Sequence, residues 1–199
     1  MKRDRSIHHK TLSLRRLTLL MLAGLASWAP AATVMIEDVG FPRSITVGDQ
    51  SFELHGVGLM RYRRLFRAYV AALYLGSGHG IEDLAQSSTP VRLELAYFWP
   101  IAGTDFAPFA QPYLEKNVDP ETFERIADRV ETLSAWYRDV APGDRYALTH
   151  RPGIGTELAL NGQGLGVVPG DDFGPAYLQI WLGSEPVNLR LREQLLERR

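Results

Sequence analysis

The chain has 199 residues, 22 Lys and Arg against 23 Asp and Glu, and no cysteine. The missing cysteine excludes disulfides, zinc–cysteine sites, iron–sulfur clusters and thiol catalysis. Residues 1–31 hold six of the cations and one of the anions, so residues 32–199 carry 16 Lys and Arg against 22 Asp and Glu, a net charge of −6, which argues against nucleic acid or an anionic membrane as a general partner.

At the N-terminus Lys2, Arg3, Arg5, Lys10, Arg15 and Arg16 precede an apolar run from Leu17 to Trp28 and the small-residue segment Ala29-Pro30-Ala31. This three-part pattern is that of a cleaved export signal. The run is too short to span a bilayer, so no stable membrane span is expected after cleavage. A retained anchor is the alternative. The expected organisation is a signal peptide over 1–31 and one domain over 32–199, whose 168 residues suit a single core, in a periplasmic or otherwise exported protein.

Ser44 to Val47 and Phe52 to Leu59 read as strands across a Gly48-Asp49-Gln50 turn. Leu65 to Leu75 is nearly continuously apolar, with Arg67 its one charge, until Gly76-Ser-Gly-His-Gly80 breaks it. Such a run is a strand buried on both faces or a short helix; its Tyr and Val content and the glycine stop favour strand. Val91 to Phe98 alternates Val, Leu and Leu with Arg and Glu and ends at Pro100, the pattern of a further strand.

Thr104 suits the N-cap of a helix from Asp105 to Asn117, and Asp119-Pro120-Glu121 opens a second helix running to about Asp139. In the second helix Phe123, Ile126, Ala127, Val130, Leu133, Ala135 and Trp136 keep to one face. Arg145 to His150, Gly155 to Leu160 and Gln163 to Val168 read as strands, the last two joined by Asn161-Gly162, the strongest hairpin signal in the chain. Two helices follow: Phe173 to Leu182, stopped by Gly183, and Leu189 to the C-terminus. Asp171 and Asp172 read as carboxylate caps of the first of these. The order of elements implies an α+β fold with an antiparallel sheet covered on one face by helices, and a cleft between the two layers.

No metal or cofactor is expected. His55, His79 and His150 match no ligand spacing and read as surface or turn histidines, and no Gly-x-Ser-x-Gly elbow marks a serine hydrolase. The densest chemistry lies in Gly56 to Leu75, where two glycines and four arginines flank the apolar run. Guanidinium groups match carboxylates bidentately, so Arg61, Arg63, Arg64 and Arg67 are candidates for an anion clamp. The plainer reading is a solvated bend with Glu53 or Glu94 as partners. Alternation sends Arg61, Arg63 and Arg67 to one face and Arg64 to the other, and places Tyr69 and Tyr74 on opposite faces. Tyr97, Phe98, Trp99, Phe106, Phe109 and Tyr113 form an aromatic cluster at the first helix, either core or the wall of a ligand site.

Several strings in order, Gly56-x-Gly58, Arg61, Tyr69-Val-Ala-Ala-Leu-Tyr-Leu75, Gly143-Asp144, Asn161-Gly162 and Trp181-Leu-Gly-x-x-Pro-Val187, resemble those of bacterial chalcone isomerase-like proteins. The resemblance covers residues 33 to 199 and implies an open-faced β-sandwich with helices on one side. It implies an arginine at Arg61 or, with a different gap, at Met60, and a threonine position at Tyr69. The family's tyrosine falls on Phe106, which lacks a hydroxyl, and its asparagine on Tyr113 or Asn117. Two donors needed for chalcone cyclisation are thus absent.

The expectation is non-catalytic binding of a fatty acid or similar apolar carboxylate, with Arg61, Tyr69, Phe106, Tyr113 and Asn117 as ligand-binding candidates. One alternative is an intramolecular lyase acting on a chalcone-like aromatic enone. Another is a non-enzymatic protein that engages an envelope partner.

Overall fold

The computed structural model describes residues 32–63 and 65–198. The expected export signal lies outside the described residues, as does Arg64. The described chain begins with a small hairpin, β1 (Thr33–Ile36) and β2 (Val39–Pro42), whose turn residues Glu37 and Asp38 have φ of 47° and 64°. Sequence reasoning placed no strand before Ser44, because Glu-Asp carries no glycine to announce a turn with two positive φ angles.

A seven-stranded antiparallel sheet follows in simple chain order: β3 (Ser44–Val47), β4 (Gln50–Tyr62), β5 (Phe66–Gly76), β6 (Val91–Tyr97), β7 (Arg145–Arg151), β8 (Gly155–Leu160) and β9 (Gln163–Val168). Two helices, α1 (Gly103–Asn117) and α2 (Pro120–Ser134), separate β6 from β7, and α3 (Phe173–Leu182) and α4 (Leu189–Leu196) close the chain. The expected α+β architecture is the observed one. Asn161 and Gly162 form the β8–β9 turn with φ of 53° and 79°, the backbone this dipeptide favours.

The apolar run is strand β5, in the middle of the β4–β5–β6 ladder and buried on both faces. Tyr69, Ala71, Leu73 and Leu75 pack toward the helices, with Leu93, Leu148, Ile126, Ile180 and Leu191. Val70, Ala72 and Tyr74 face the other way and pack with Phe41, Val57 and, around them, Val34, Ile36 and Val39. The β1–β2 hairpin therefore covers part of the face that the sequence left open.

Two bulges set which side chains face the helices. His55 is the extra residue between the pairs Leu54–Tyr74 and Gly56–Leu73, and Ala68 between Met60–Tyr69 and Arg61–Arg67. The first reverses the alternation in β4, so Leu54 and Val57 share the hairpin face while Gly56, Gly58 and Met60 turn to the helices.

Local expectations are corrected in four places. Thr104 lies inside α1, whose N-cap is Ala102; the Gly103 N–H donates to Asp139 Oδ1 at 2.8 Å. α2 keeps its expected cap, Asp119 accepting from the Thr122 N–H at 2.9 Å, but stops at Ser134. The chain beyond it pairs with the β6–α1 connection, where Val140 bridges Ile101, before β7 begins. Asp172 stands at the N-cap of α3, but no carboxylate caps the helix: Asp171 accepts from the Gly153 N–H, and Asp172 takes both Arg129 guanidinium nitrogens at 2.7 and 2.8 Å. His150 is fully buried, bonded to the Ser87 carbonyl at 2.9 Å and to Thr156 Oγ1 at 3.3 Å.

Candidate ligand-binding cavity

Between the helix-facing side of the sheet and helices α1 and α3 lies a cavity of about 490 Å³, within the range of roughly 300–1,000 Å³ usual for small-molecule sites. The ends of three strands build one wall: Met60 and Tyr62 from β4, Phe66, Ala68 and Tyr69 from β5, Leu95 and Tyr97 from β6. α1 supplies Asp105, Phe106, Phe109 and Ala110, α3 supplies Ile180 and Trp181, and Leu148 and Leu158 add apolar surface from β7 and β8. Tyr62, Phe66, Trp99 and Phe109 are each about half exposed, at 49, 52, 54 and 46%; they mark the mouth.

The interior is aromatic and uncharged. Tyr97 meets Tyr69, Phe106 and Tyr146 edge-on at 5.7, 5.8 and 6.1 Å between ring centres, and Phe106 stacks on Tyr137 at 4.8 Å. The Tyr69 hydroxyl accepts from Trp181 Nε1 at 3.1 Å, the Tyr137 and Tyr177 hydroxyls bond each other at 3.1 Å, and Tyr146 donates to the Arg138 carbonyl at 3.0 Å. The Tyr97 hydroxyl meets no hydrogen-bond partner among the described residues. Burial pushes the phenols of Tyr69, Tyr97 and Tyr137 well up and that of Tyr177 up to about 12. They are therefore neutral hydrogen-bonding groups at ordinary pH, not phenolate bases. Among the described residues no lysine, arginine or histidine lines the cavity, and Asp105, exposed in the first turn of α1, is the one carboxylate that does.

Of the residues expected from sequence, Tyr69 and Phe106 line the cavity, and Arg61, Tyr113 and Asn117 do not. Arg61 and Arg67 are a cross-strand pair on the opposite face of the sheet, where both reach Glu37, at 3.5 and 2.9 Å. Their partner is thus neither Glu53 nor Glu94; Glu94 is held by Arg92 and Arg145 at 3.0 and 2.8 Å. The inward place next to Arg61 belongs to Met60, so of the two positions the resemblance allowed for the arginine, the one facing the cavity holds methionine. Arg63 sits in the turn at φ 49°, beyond the reach of strand alternation, with its guanidinium over the Tyr62 ring at 5.3 Å.

Tyr113 packs on Phe109 at 5.6 Å. Asn117 ends α1 and clamps the loop after α3, donating to the Glu185 carbonyl at 2.9 Å and accepting from its N–H at 2.8 Å. Arg61 and Arg67 instead line a shallow groove outside the cavity with Leu65, Phe98, Phe66 and Trp99, the last two shared with the mouth.

Sequence reasoning missed Tyr137, Tyr146, Leu148, Leu158 and Ile180, whose positions in the chain carry no signal that they converge on one space. Trp181 opened one of the family-like strings, and that was a usable signal. Among the described residues no group of three or more His, Asp and Glu is placed to hold a metal ion, and no helix is long and apolar enough to cross a membrane.

A family model described as chalcone isomerase-like matches residues 33–197. No curated protein matches. Among solved structures, the crystal structure of a fatty-acid binding protein of Arabidopsis thaliana is similar, with a TM-score of 0.62 and 19% identity over 83% of this chain and 96% of that one. At that identity the likeness is one of fold.

Proposed function

The chain belongs to the chalcone isomerase-like family, and on that premise we propose that it is a non-catalytic binder of a fatty acid or similar long apolar carboxylate, acting in an exported compartment. The observation that carries this reading is the aromatic cavity, open at its mouth, whose described lining holds no cation. Each methylene removed from water contributes about 0.8 kcal/mol, so a hydrocarbon tail supplies the affinity. An ionised carboxylate drawn inside would lose its hydration with no cation to replace it. The tail therefore enters and the carboxylate stays at the mouth, where the groove of Arg61 and Arg67 adjoins Phe66 and Trp99.

The likeness to a fatty-acid binding protein supports the same reading. Isomerisation of an enone is less well served: it needs donors aimed at developing negative charge, and the cavity presents Met60 and Phe106 where the family resemblance places an arginine and a tyrosine.

Native mass spectrometry of protein purified from its host tests the proposal. A co-purifying lipid acid is expected, and Ala110→Phe, which fills the cavity from α1, removes it. An empty protein after loading with palmitate, or unchanged loading of Ala110→Phe, overturns it. Loss of chalcone absorbance is expected to proceed no faster than in buffer.

A further inference from the structure

Five of the nine large apolar residues exposed among the described residues gather at one end of the molecule: Tyr62, Leu65 and Phe66 at the tip of the β4–β5 hairpin, with Trp99 and Phe109 across the cavity mouth. Leu65 is the most exposed, at 77%, and Phe66 and Trp99 contact edge-on at 6.4 Å. Contiguous exposed apolar surface of this kind marks an interaction site. The same tip is basic: among the described residues it carries Arg61, Arg63 and Arg67, whereas residues 32–199 sum to −6. Arg61 and Arg67 share the single carboxylate of Glu37, so the pair keeps a net positive charge.

We propose that this tip docks on an anionic phospholipid bilayer and sets the cavity mouth against the acyl region. Three observations favour a bilayer over a protein partner. Aromatic and aliphatic side chains are interspersed with arginines at an exposed hairpin end, the composition that settles at a membrane interface with guanidinium groups at the phosphates. The charge of the tip opposes that of the rest of the protein, so it orients the approach to an anionic surface. The apolar patch is also continuous with the cavity through Phe66 and Trp99, so an acyl chain passing between bilayer and cavity need not cross water. The use made of docking rests on the ligand proposed above; the docking itself does not.

The absence of cysteine allows one environment-sensitive fluorophore to be placed at will. Labelled Leu65→Cys is compared with labelled Ile154→Cys, an exposed position in the β7–β8 turn at the far end of the strands. With mixed phosphatidylcholine and phosphatidylglycerol vesicles, the probe at 65 is expected to brighten and shift to the blue while the probe at 154 stays unchanged. Because the readout is local, it is insensitive to any vesicle contact made by residues 1–31. Leu65→Asp and the pair Arg61→Gln with Arg67→Gln, read in sedimentation with vesicles against the parent chain, are each expected to weaken vesicle affinity about tenfold, as is high salt for the parent.

A silent probe at 65, or an equal response at 154, overturns the proposal; a silent probe would assign the patch to a protein partner. Leu65 does not line the cavity, so palmitate loading of Leu65→Asp separates the two readings. Loading retained with vesicle binding lost supports docking. Vesicle binding by Ala110→Phe without loading sinks the ligand reading alone.

Discussion

Tyr74 is the largest side chain with no exposed surface on the hairpin side of the sheet, and its hydroxyl has no hydrogen-bond partner among the described residues. A buried hydroxyl without a partner costs about 1–3 kcal/mol, whereas the ring contributes packing. Tyr74→Phe is therefore expected to leave the melting temperature unchanged or to raise it by a few degrees. A fall of more than about 1 kcal/mol in urea unfolding would contradict this. Asp172 behaves in the opposite way. Its hydrogen bonds to the Arg129 guanidinium, with Arg125 behind, hold its carboxyl well below the usual range. A lowered folded-state value stabilises the fold above the ordinary carboxylate range and loses that contribution as pH falls through it. Asp172→Asn is expected to melt lower at neutral pH and to show a flatter loss of stability below pH ~4, read from melts across an acid series.

At the scale of elements, the decisive contact is between β4 and α4. A Cβ on Gly56 would collide with the Leu195 carbonyl, and one on Gly58 would come within 2.8 Å of Leu191 Cδ1. The two glycines let the helix lie directly on the strand, where the Leu59 N–H donates to Gln194 Oε1 and His55 bonds the Leu196 carbonyl, both at 3.0 Å. They are not turn residues; they sit inside an unbroken strand. Gly56→Ala must move backbone and is expected to destabilise by about 1–3 kcal/mol. Gly58→Ala meets side-chain atoms alone, Leu191 Cδ1 and Gln194 Cβ and Oε1, with no backbone among them, and is expected to be milder. Thermal melts of the two variants check the order, and equal stability of Gly56→Ala and parent would refute it.

For the whole molecule, the shared property of the core is its neutral phenols. Tyr69, Tyr97, Tyr137 and Tyr177 are all raised by burial above 10, their ordinary value. Raised values mean that stability is intact below about pH 10 and is lost above it, as the unfolded chain ionises first. Phenolate absorbance from these rings is expected to appear only together with loss of near-ultraviolet circular dichroism; gradual ionisation of the folded protein would contradict that. The α+β order, the Asn161-Gly162 hairpin, the central strand and the Asp119 cap were legible along the chain, because each rests on local propensity or on a period a few residues long. Alternation within β5 also told that Tyr69 and Tyr74 take opposite faces, whereas Arg61 and Arg67 share one because they pair across β4 and β5 beyond a turn that alternation does not describe. It could not tell which face meets the helices. That choice was made by the bulge at His55 and by the bare glycine surface that admits α4, and it put Met60 rather than Arg61 into the cavity. A sequence records which side chains alternate, but a hollow exists only where separate elements fail to touch, and that is settled when distant segments pack.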